Sequence, residues 1–257
     1  MAFITLERTH TEIAIVRLDR PKANALSPEM LLELLETATL LCENPPRAAI
    51  IWGGPRIFAA GADISRFDGP NEARTIGALF HRALNKISQI PRPTIAAISG
   101  VALGGGCELA LACDFRIATQ EAKVGQPEIT LGIIPGGGAT QRLPRLIGVS
   151  RAKELIFSGR QIDANEALSI GLIDKIAISP DELLPMALAW AEQFAIGATL
   201  SIALAKKAID LGVENNLENG LQIELELFAE SFATQDSKIG INSFLTNGPG
   251  KAKFLGK

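Results

Sequence analysis

The stretch Ala102-Leu103-Gly104-Gly105-Gly106-Cys107-Glu108-Leu109-Ala110 decides the fold class of this chain. Just upstream, Thr94 to Ser99 reads as a short apolar strand, and Gly105 to Ala112 reads as a short helix. Glycines at such a junction let backbone come close to a ligand without Cβ clashes. Amides that open a helix carry partial positive charge and lack an intrahelical acceptor, which suits a developing oxyanion. The same turn serves equally well as a tight strand-to-helix connection. A dinucleotide loop is excluded by spacing, because Leu109 stands where the third glycine of G-x-G-x-x-G belongs. The run Gly136-Gly137-Gly138 fails likewise, with Gln141 at the needed position.

Working outward, Glu108 is the residue hardest to explain structurally. It sits one turn into an apolar helix, and a buried unpaired carboxylate protonates, pairs or works. The alternative is a solvent-facing glutamate favoured by the helix dipole. A second acid, Glu128, follows in Gly125-Gln126-Pro127-Glu128, where Pro127-Glu128 could also simply open a helical turn. A third small-residue turn, Phe58-Ala59-Ala60-Gly61-Ala62-Asp63, suits close backbone contact with a flat ligand or with a neighbouring helix. Lys22, after Arg20-Pro21, could meet a phosphate or only water. Two carboxyls beside close-approach amides can move protons next to a polarised carbonyl without a metal or a histidine.

The rest of the chain alternates short strands with helices. Ile4–Leu6, Ile13–Leu18, Ala48–Trp52 and Phe115–Ala118 read as strands. Ser27-Pro28 opens a helix with apolar positions Met30, Leu31, Leu34, Leu35, Ala38 and Leu41, and a second helix spans about Asn71 to Ser88. After Pro144 five helices are expected, with Asp163 and Asp181 as caps, and one short strand within Leu172–Ile178. The fold class is therefore α/β, with a helical C-terminal part.

Composition narrows the chemistry. At 257 residues the chain fits one large domain, or one domain with a helical appendage. A net charge of −3 gives no general attraction to nucleic acid or an anionic membrane. Cys42, Cys107 and Cys113 lack metal-ligand spacing and leave one thiol unpaired, which points to a reducing compartment and hence the cytoplasm. The N-terminus has no apolar signal core, so export is not expected. Ile95–Cys113 is apolar, yet its glycines and Glu108 read as a buried strand–turn–helix rather than a membrane span. His10 and His81 read as surface residues, and tyrosine is absent, so carboxylates, lysine and cysteine remain as proton carriers.

Together the three turns resemble the enoyl-CoA hydratase/isomerase (crotonase) family. The residues that carry the resemblance are Phe58–Ile64, Ala102–Ala110 and Gly125–Ile129 followed by Leu131-Gly132 and Ile134-Pro135-Gly136. Arg20-Pro21-Lys22, Asn24-Ala25-Leu26 and Thr140-Gln141-Arg142-Leu143-Pro144-Arg145 extend it over nearly the whole chain. The resemblance implies a crotonase-like spiral of ββα units over residues 1–195, and a helical trimerisation region over 196–257. It further implies a homotrimer, or a hexamer made of two trimers, and an acyl-CoA thioester as substrate with no separate cofactor and no metal.

By motif position, the resemblance assigns the Ala62 and Gly105 amides to an oxyanion hole, and Glu108 and Glu128 to the two hydratase glutamates. It assigns Ala60, Asp63, Ile64 and Lys22 to the nucleotide end of CoA, and Lys251 and Phe254 to the nucleotide of an adjacent subunit. The segment Lys22–Leu26 is one residue shorter than the commoner spacing. Asn247-Gly248-Pro249-Gly250 replaces a charged helix end, so a looser tail is expected. Retention of both glutamates favours a hydratase. The alternatives are an enoyl-CoA isomerase or another crotonase-fold lyase and, more remotely, a non-catalytic or RNA-binding relative.

Overall fold

The computed structural model describes residues 2–257. In chain order, β1 (Ile4–Arg8) and β2 (Ile13–Leu18) precede α1 (Pro28–Glu43), β3 (Ala48–Trp52) and α2 (Pro70–Ser88). Next come β4 (Thr94–Ile98), β5 (Val101–Leu103), α3 (Gly105–Leu111), β6 (Phe115–Thr119) and β7 (Lys123–Gly125). They are followed by α4 (Ala139–Ile147), α5 (Val149–Ser158), β8 (Gln161–Asp163), α6 (Ala164–Ser169) and β9 (Lys175–Ala177). Four helices finish the chain: α7 (Pro180–Ala195), α8 (Thr199–Val213), α9 (Leu217–Ser231) and α10 (Gln235–Asn247).

One sheet runs β1-β2-β3-β4-β6-β9, antiparallel between β1 and β2 and parallel thereafter. Side chains alternate across it as a pleat demands. Val16, Ala49, Ile51, Ala96 and Ile98 join the large core with α1, α2 and α3. Ile13, Ile50, Ile95 and Ile117 face α7 with Leu183, Ala187 and Ala191. Ile50 and Ile95 stand in register, and burying each such side chain contributes about 1.5–3 kcal/mol. Burial on both faces explains why these strands read as unbroken apolar runs.

A second sheet, β5-β7-β8, lies beyond the bend at Ser99-Gly100. Each of its strands has three residues, too few to show a period, and none was expected from the sequence. Helix α4, which carries Pro144 inside it, and α10 were also not foreseen.

The expected caps divide. Ser27 caps α1 through Met30 N at 3.3 Å, and Asp163 caps α6 through Glu166 N at 2.9 Å. Asp181 is not a cap: Ser179 holds that position, Pro180 opens α7, and Asp181 sits in the first turn, where its charge favours the dipole. The tail beyond Gly248 has no regular structure, yet its end is tied down. Buried Asp236 accepts from Leu255 N and Gly256 N, both at 2.7 Å, and Arg47 Nη2 donates to Leu255 O at 2.6 Å. Helices α8 to α10 leave Ile209, Leu217, Leu225, Phe228, Phe244 and Leu245 exposed. Among the described residues no single helix is long and apolar enough to cross a membrane.

Candidate active site

Three chain segments meet at the start of α3, and backbone pairing brings them there. The turn after β3 is stitched to β5, with Ala59 N donating to Val101 O and Leu103 N donating to Ala59 O, each at 3.1 Å. On its other side it pairs with the loop before α1, through Leu26 N to Gly61 O (2.8 Å) and Asp63 N to Leu26 O (3.0 Å). Asn24 fixes that loop: its Nδ2 donates to Gly53 O, Ile57 O and Phe58 O at 2.9, 3.1 and 3.0 Å. These ties hold the Ala62 amide against α3.

A Cβ placed on Gly105 would lie 3.2 Å from Ala62 N and 3.0 Å from Phe80 Cε1, so the Ala62 amide and the Phe80 ring both lie close against the start of α3. Gly105 opens α3, and its N–H has no acceptor within the helix. Among the described residues the Ala62 N–H likewise has no backbone acceptor. Two free donors side by side form a ready cradle for a negatively polarised oxygen.

Glu108 lies one turn further along α3 and is 2% exposed, so it does not face solvent. Its Oε1 accepts from Gly137 N at 2.8 Å and Ala139 N at 2.9 Å, the amides that open α4. Oε2 accepts no hydrogen bond from any described residue. The carboxylate is thus pinned by one oxygen while the other stays available.

Glu128 arrives from the opposite side. Parallel pairing of β5 with β7, extended by Gly104 N donating to Gly125 O at 2.9 Å, carries the 3₁₀ turn Pro127–Leu131 to the start of α3. Gly104 has φ +50°, and a Cβ there would lie 2.7 Å from Glu128 Oε1. The carboxyl therefore rests directly on a glycine that no other residue could replace without displacing it. With its amide nitrogen turned inward, buried Gln126 donates to both Glu128 oxygens at 3.2 Å.

The electrostatics follow from burial. Desolvation raises the Glu108 pKa, opposed by the amides of Ala139 and Gly137 and by the charges of Arg142 and His81. Desolvation pushes Glu128 up to about 7, and the Glu108 charge adds to the rise. Two interacting acids so placed titrate as a pair that holds one proton over an intermediate pH range. The adjacent Cys107 thiol is pushed up to about 12 by burial and stays neutral, which removes it as a proton carrier. His81 and His10 are exposed, as expected.

The structure brings Ala62, Gly105, Glu108 and Glu128 together. Lys22 lines a separate cleft of about 440 Å³ with Arg17, Arg20 and Arg56. Asp63 does not line it but is tied to Arg20, which does: its carboxylate accepts from Arg20 Nη2 and Ser65 Oγ, both at 2.7 Å. Ala60 and Ile64 are exposed beside it. Lys251 and Phe254 are elsewhere, in a cleft of about 380 Å³ between α10 and the Ile196-Gly197 corner. Sequence reasoning missed Gly137 and Ala139 as the partners of Glu108, along with Gln126, Phe80 and Arg142. The unexplained run Gly136-Gly137-Gly138 was the available signal. Among the described residues no three His, Cys, Asp or Glu side chains are grouped to hold a metal ion.

Unpaired amides at a helix start, flanked by two carboxyls on a two-sheet α/β fold, define a class of enzyme. A sequence profile described as enoyl-CoA hydratase/isomerase matches residues 8–254, and the chain belongs to that family. A crotonyl-CoA hydratase from Syntrophomonas wolfei is 43% identical, with 99% of this chain and 98% of that protein covered. A short-chain-enoyl-CoA hydratase from Clostridium acetobutylicum is 41% identical over 91% of each chain. The crystal structure of an enoyl-CoA hydratase from Bacillus anthracis superposes with a TM-score of 0.93 at 38% identity, covering 99% of this chain and 100% of that one. The fold is the crotonase fold with a helical C-terminal region.

Proposed function

We propose that this chain is an enoyl-CoA hydratase, adding water across the 2,3 double bond of a short 2-enoyl-CoA thioester to give a 3-hydroxyacyl-CoA. The observation that carries this reading is Glu108: buried, pinned through Oε1 by two amides, and free at Oε2 beside a second raised carboxyl. The named substrates of its relatives, crotonyl-CoA and short-chain enoyl-CoA, support a short acyl group.

In this reading the thioester oxygen lies between the Ala62 and Gly105 N–H groups. Polarisation there draws electron density from the double bond and makes C3 electrophilic. Glu108 Oε2 takes a proton from water as its oxygen bonds to C3, and Glu128 gives its proton to C2. Negative charge passes through the thioester oxygen, where losing one such donor costs about 3–4 kcal/mol in comparable sites. The product has gained one water, with the proton from water on Glu108 and Glu128 left ionised. No cofactor is needed beyond the CoA carried by the substrate.

Lys22, with the neighbouring Arg17, Arg20 and Arg56, offers positive charge to the CoA phosphates. Ala60, Asp63 and Ile64 take the adenine end in this reading. Lys251 and Phe254 serve a neighbouring subunit's nucleotide. Residues 196–257 act as the oligomerisation region of a trimer or a pair of trimers, which the exposed apolar residues of α8 to α10 support. Three free thiols accord with a cytoplasmic location.

The test is loss of enone absorbance on adding the protein to crotonyl-CoA, with wild type, Glu108→Gln and Glu128→Gln. Each variant should lose about 10²–10⁴-fold in kcat while still binding CoA. Near-normal hydration by either variant would remove that residue from the mechanism. No hydration of any 2-enoyl-CoA by wild type would redirect the assignment to an isomerase or lyase of the same fold.

A further inference from the structure

Outside the two carboxyls and two amides, one cationic side chain is built into the same site. Arg142 lies on the first turn of α4 and is half-buried. Its Nη1 donates to Gly137 O at 3.3 Å, and its Nη2 donates to Asn85 Oδ1 on α2 at 2.6 Å. Gly137 is therefore gripped from both sides, its N–H by Glu108 Oε1 and its carbonyl by the guanidinium. Gly138, at φ +120°, leaves open the space that Arg142 Nη1 fills; a Cβ there would collide with it. The third glycine of the run is thus the seat of this arginine.

We propose that Arg142 is a positioning residue for Glu108: anchored by Asn85, it holds the Gly137 turn that fixes Glu108 Oε1. The inference rests on Glu108 acting as the base. One of the two amides that hold Glu108, that of Gly137, sits on a glycine run with little stiffness of its own. The Asn85–Arg142–Gly137 chain supplies that stiffness from a second helix. The charge acts in the same direction, because a cation in a poorly solvated site favours the ionised form of a nearby acid. The charges that act on Glu108 are Arg142 from α4 and His81 from α2, and Glu108 in turn raises Cys107 on its own helix and Glu128 from the 3₁₀ turn. His81 is exposed and Cys107 is neutral, so Arg142 is the half-buried cation built into the site.

The experiment is the kcat–pH profile on crotonyl-CoA for wild type, Arg142→Gln, Arg142→Lys, Asn85→Ala and Glu108→Gln, each checked for a cooperative melt. Arg142→Gln should lower kcat about 10–100-fold with KM held within about threefold, since misplacement of a reacting group is felt in kcat. Its acidic limb should move up by about one pH unit, because the ionised base has lost a cation. Arg142→Lys should return the limb toward wild type yet keep part of the kcat loss, because an ammonium cannot make the forked contact. Asn85→Ala, which touches only the anchor, should cost about 3–10-fold in kcat, the scale of one lost hydrogen bond.

A folded Arg142→Gln variant with an unmoved acidic limb, or with the loss confined to KM, overturns the proposal. Should Arg142→Gln fail to fold, wild-type kcat in both Arg142→Lys and Asn85→Ala overturns it instead. A fully active Glu108→Gln sinks the functional reading and this proposal with it. An inactive Glu108→Gln alongside an unmoved Arg142→Gln limb sinks this proposal alone.

Discussion

Replacing Gly137 with alanine adds one methyl group at the point where Glu108 is held. Gly137 is not at positive φ, so its backbone accepts alanine and the effect comes from space alone. The new Cβ would lie 2.9 Å from Glu108 Cδ and 3.1 Å from Phe80 Cδ1, and closer still to Glu108 Oε2. Carbon contacts relax at about 3.5–4.0 Å, so the carboxyl carbon must retreat by at least ~0.6 Å. The ring cannot give way instead: Phe80 is 3% exposed and already fills the space beside Gly105. Glu108 therefore moves, and it moves from the Oε2 side, the oxygen assigned to water. Displacements near 1 Å cost about 10²-fold in rate, so kcat on crotonyl-CoA should fall about 10–100-fold. The overpacking itself should cost about 1–3 kcal/mol, leaving a folded protein. Stopped-flow enone absorbance gives kcat, and retained CoA binding confirms that the nucleotide end is intact. A folded Gly137→Ala variant with kcat within about threefold of wild type would refute the assignment of Oε2 as the reacting oxygen, the scale being that of a minor geometric change.

Two further outcomes follow from the same structure. Glu128 is raised from an ordinary carboxylate value to about 7. Its protonated form is favoured by folding, so its contribution is fully present below the unfolded pKa near 4.5 and is lost as pH rises through about 7. Glu128→Gln should therefore gain stability at pH 8 but not at pH 4. The gain should be about 1–2 kcal/mol once partial solvent screening of this half-exposed group is allowed for, as urea unfolding would read it. An equal effect at both pH values would rule out the carboxyl as its source. Asp236→Ala removes the acceptor of two tail amides, worth about 1–3 kcal/mol locally, and should speed exchange at Leu255 and Gly256. If Lys251 and Phe254 serve the nucleotide, KM for crotonyl-CoA rises with kcat unchanged; a freed tail with unaltered KM removes them from binding.

What the sequence made legible depends on how local each cause is. Strand β3 matches its expected span, and α1 begins where Ser27-Pro28 put it, because an apolar run and a cap are short-range signals. Strands β5, β7 and β8 are too short for a period to show, yet they carry Glu128 to Gly104. Glycine turns and a resemblance to a family singled out Ala62, Gly105, Glu108 and Glu128, four positions that the fold gathers around the start of α3. The partners of Glu108 were not, since Gly137 N and Ala139 N lie 29 and 31 residues away in sequence. No spacing rule links them; only the packing of α3 on α4 does. The Gly136–Gly138 run looked like a failed dinucleotide loop because its work is internal: one amide for a carboxylate and one gap for an arginine.

The unequal burial of the two acids bears on how the site resets. In the proposed mechanism, hydration leaves Glu108 with the proton taken from water and Glu128 without its own. Turnover needs that proton to pass back, and each unit of pKa mismatch between the two sets about 1.4 kcal/mol against the transfer in one direction. Two solvated glutamates would match but would both be ionised at neutral pH, leaving no acid. Two sealed and unsupported glutamates would both stay protonated, leaving no base. Here Glu108 is the more deeply buried, but it is held by two amides and acted on by the Arg142 charge, while Glu128 is less buried and has no cation acting on it. The deeper burial of Glu108 is thus opposed by two amides and a cation, support that Glu128 lacks. A coupled pair of this kind holds one proton over an intermediate pH range, as a hydration that also runs in reverse requires.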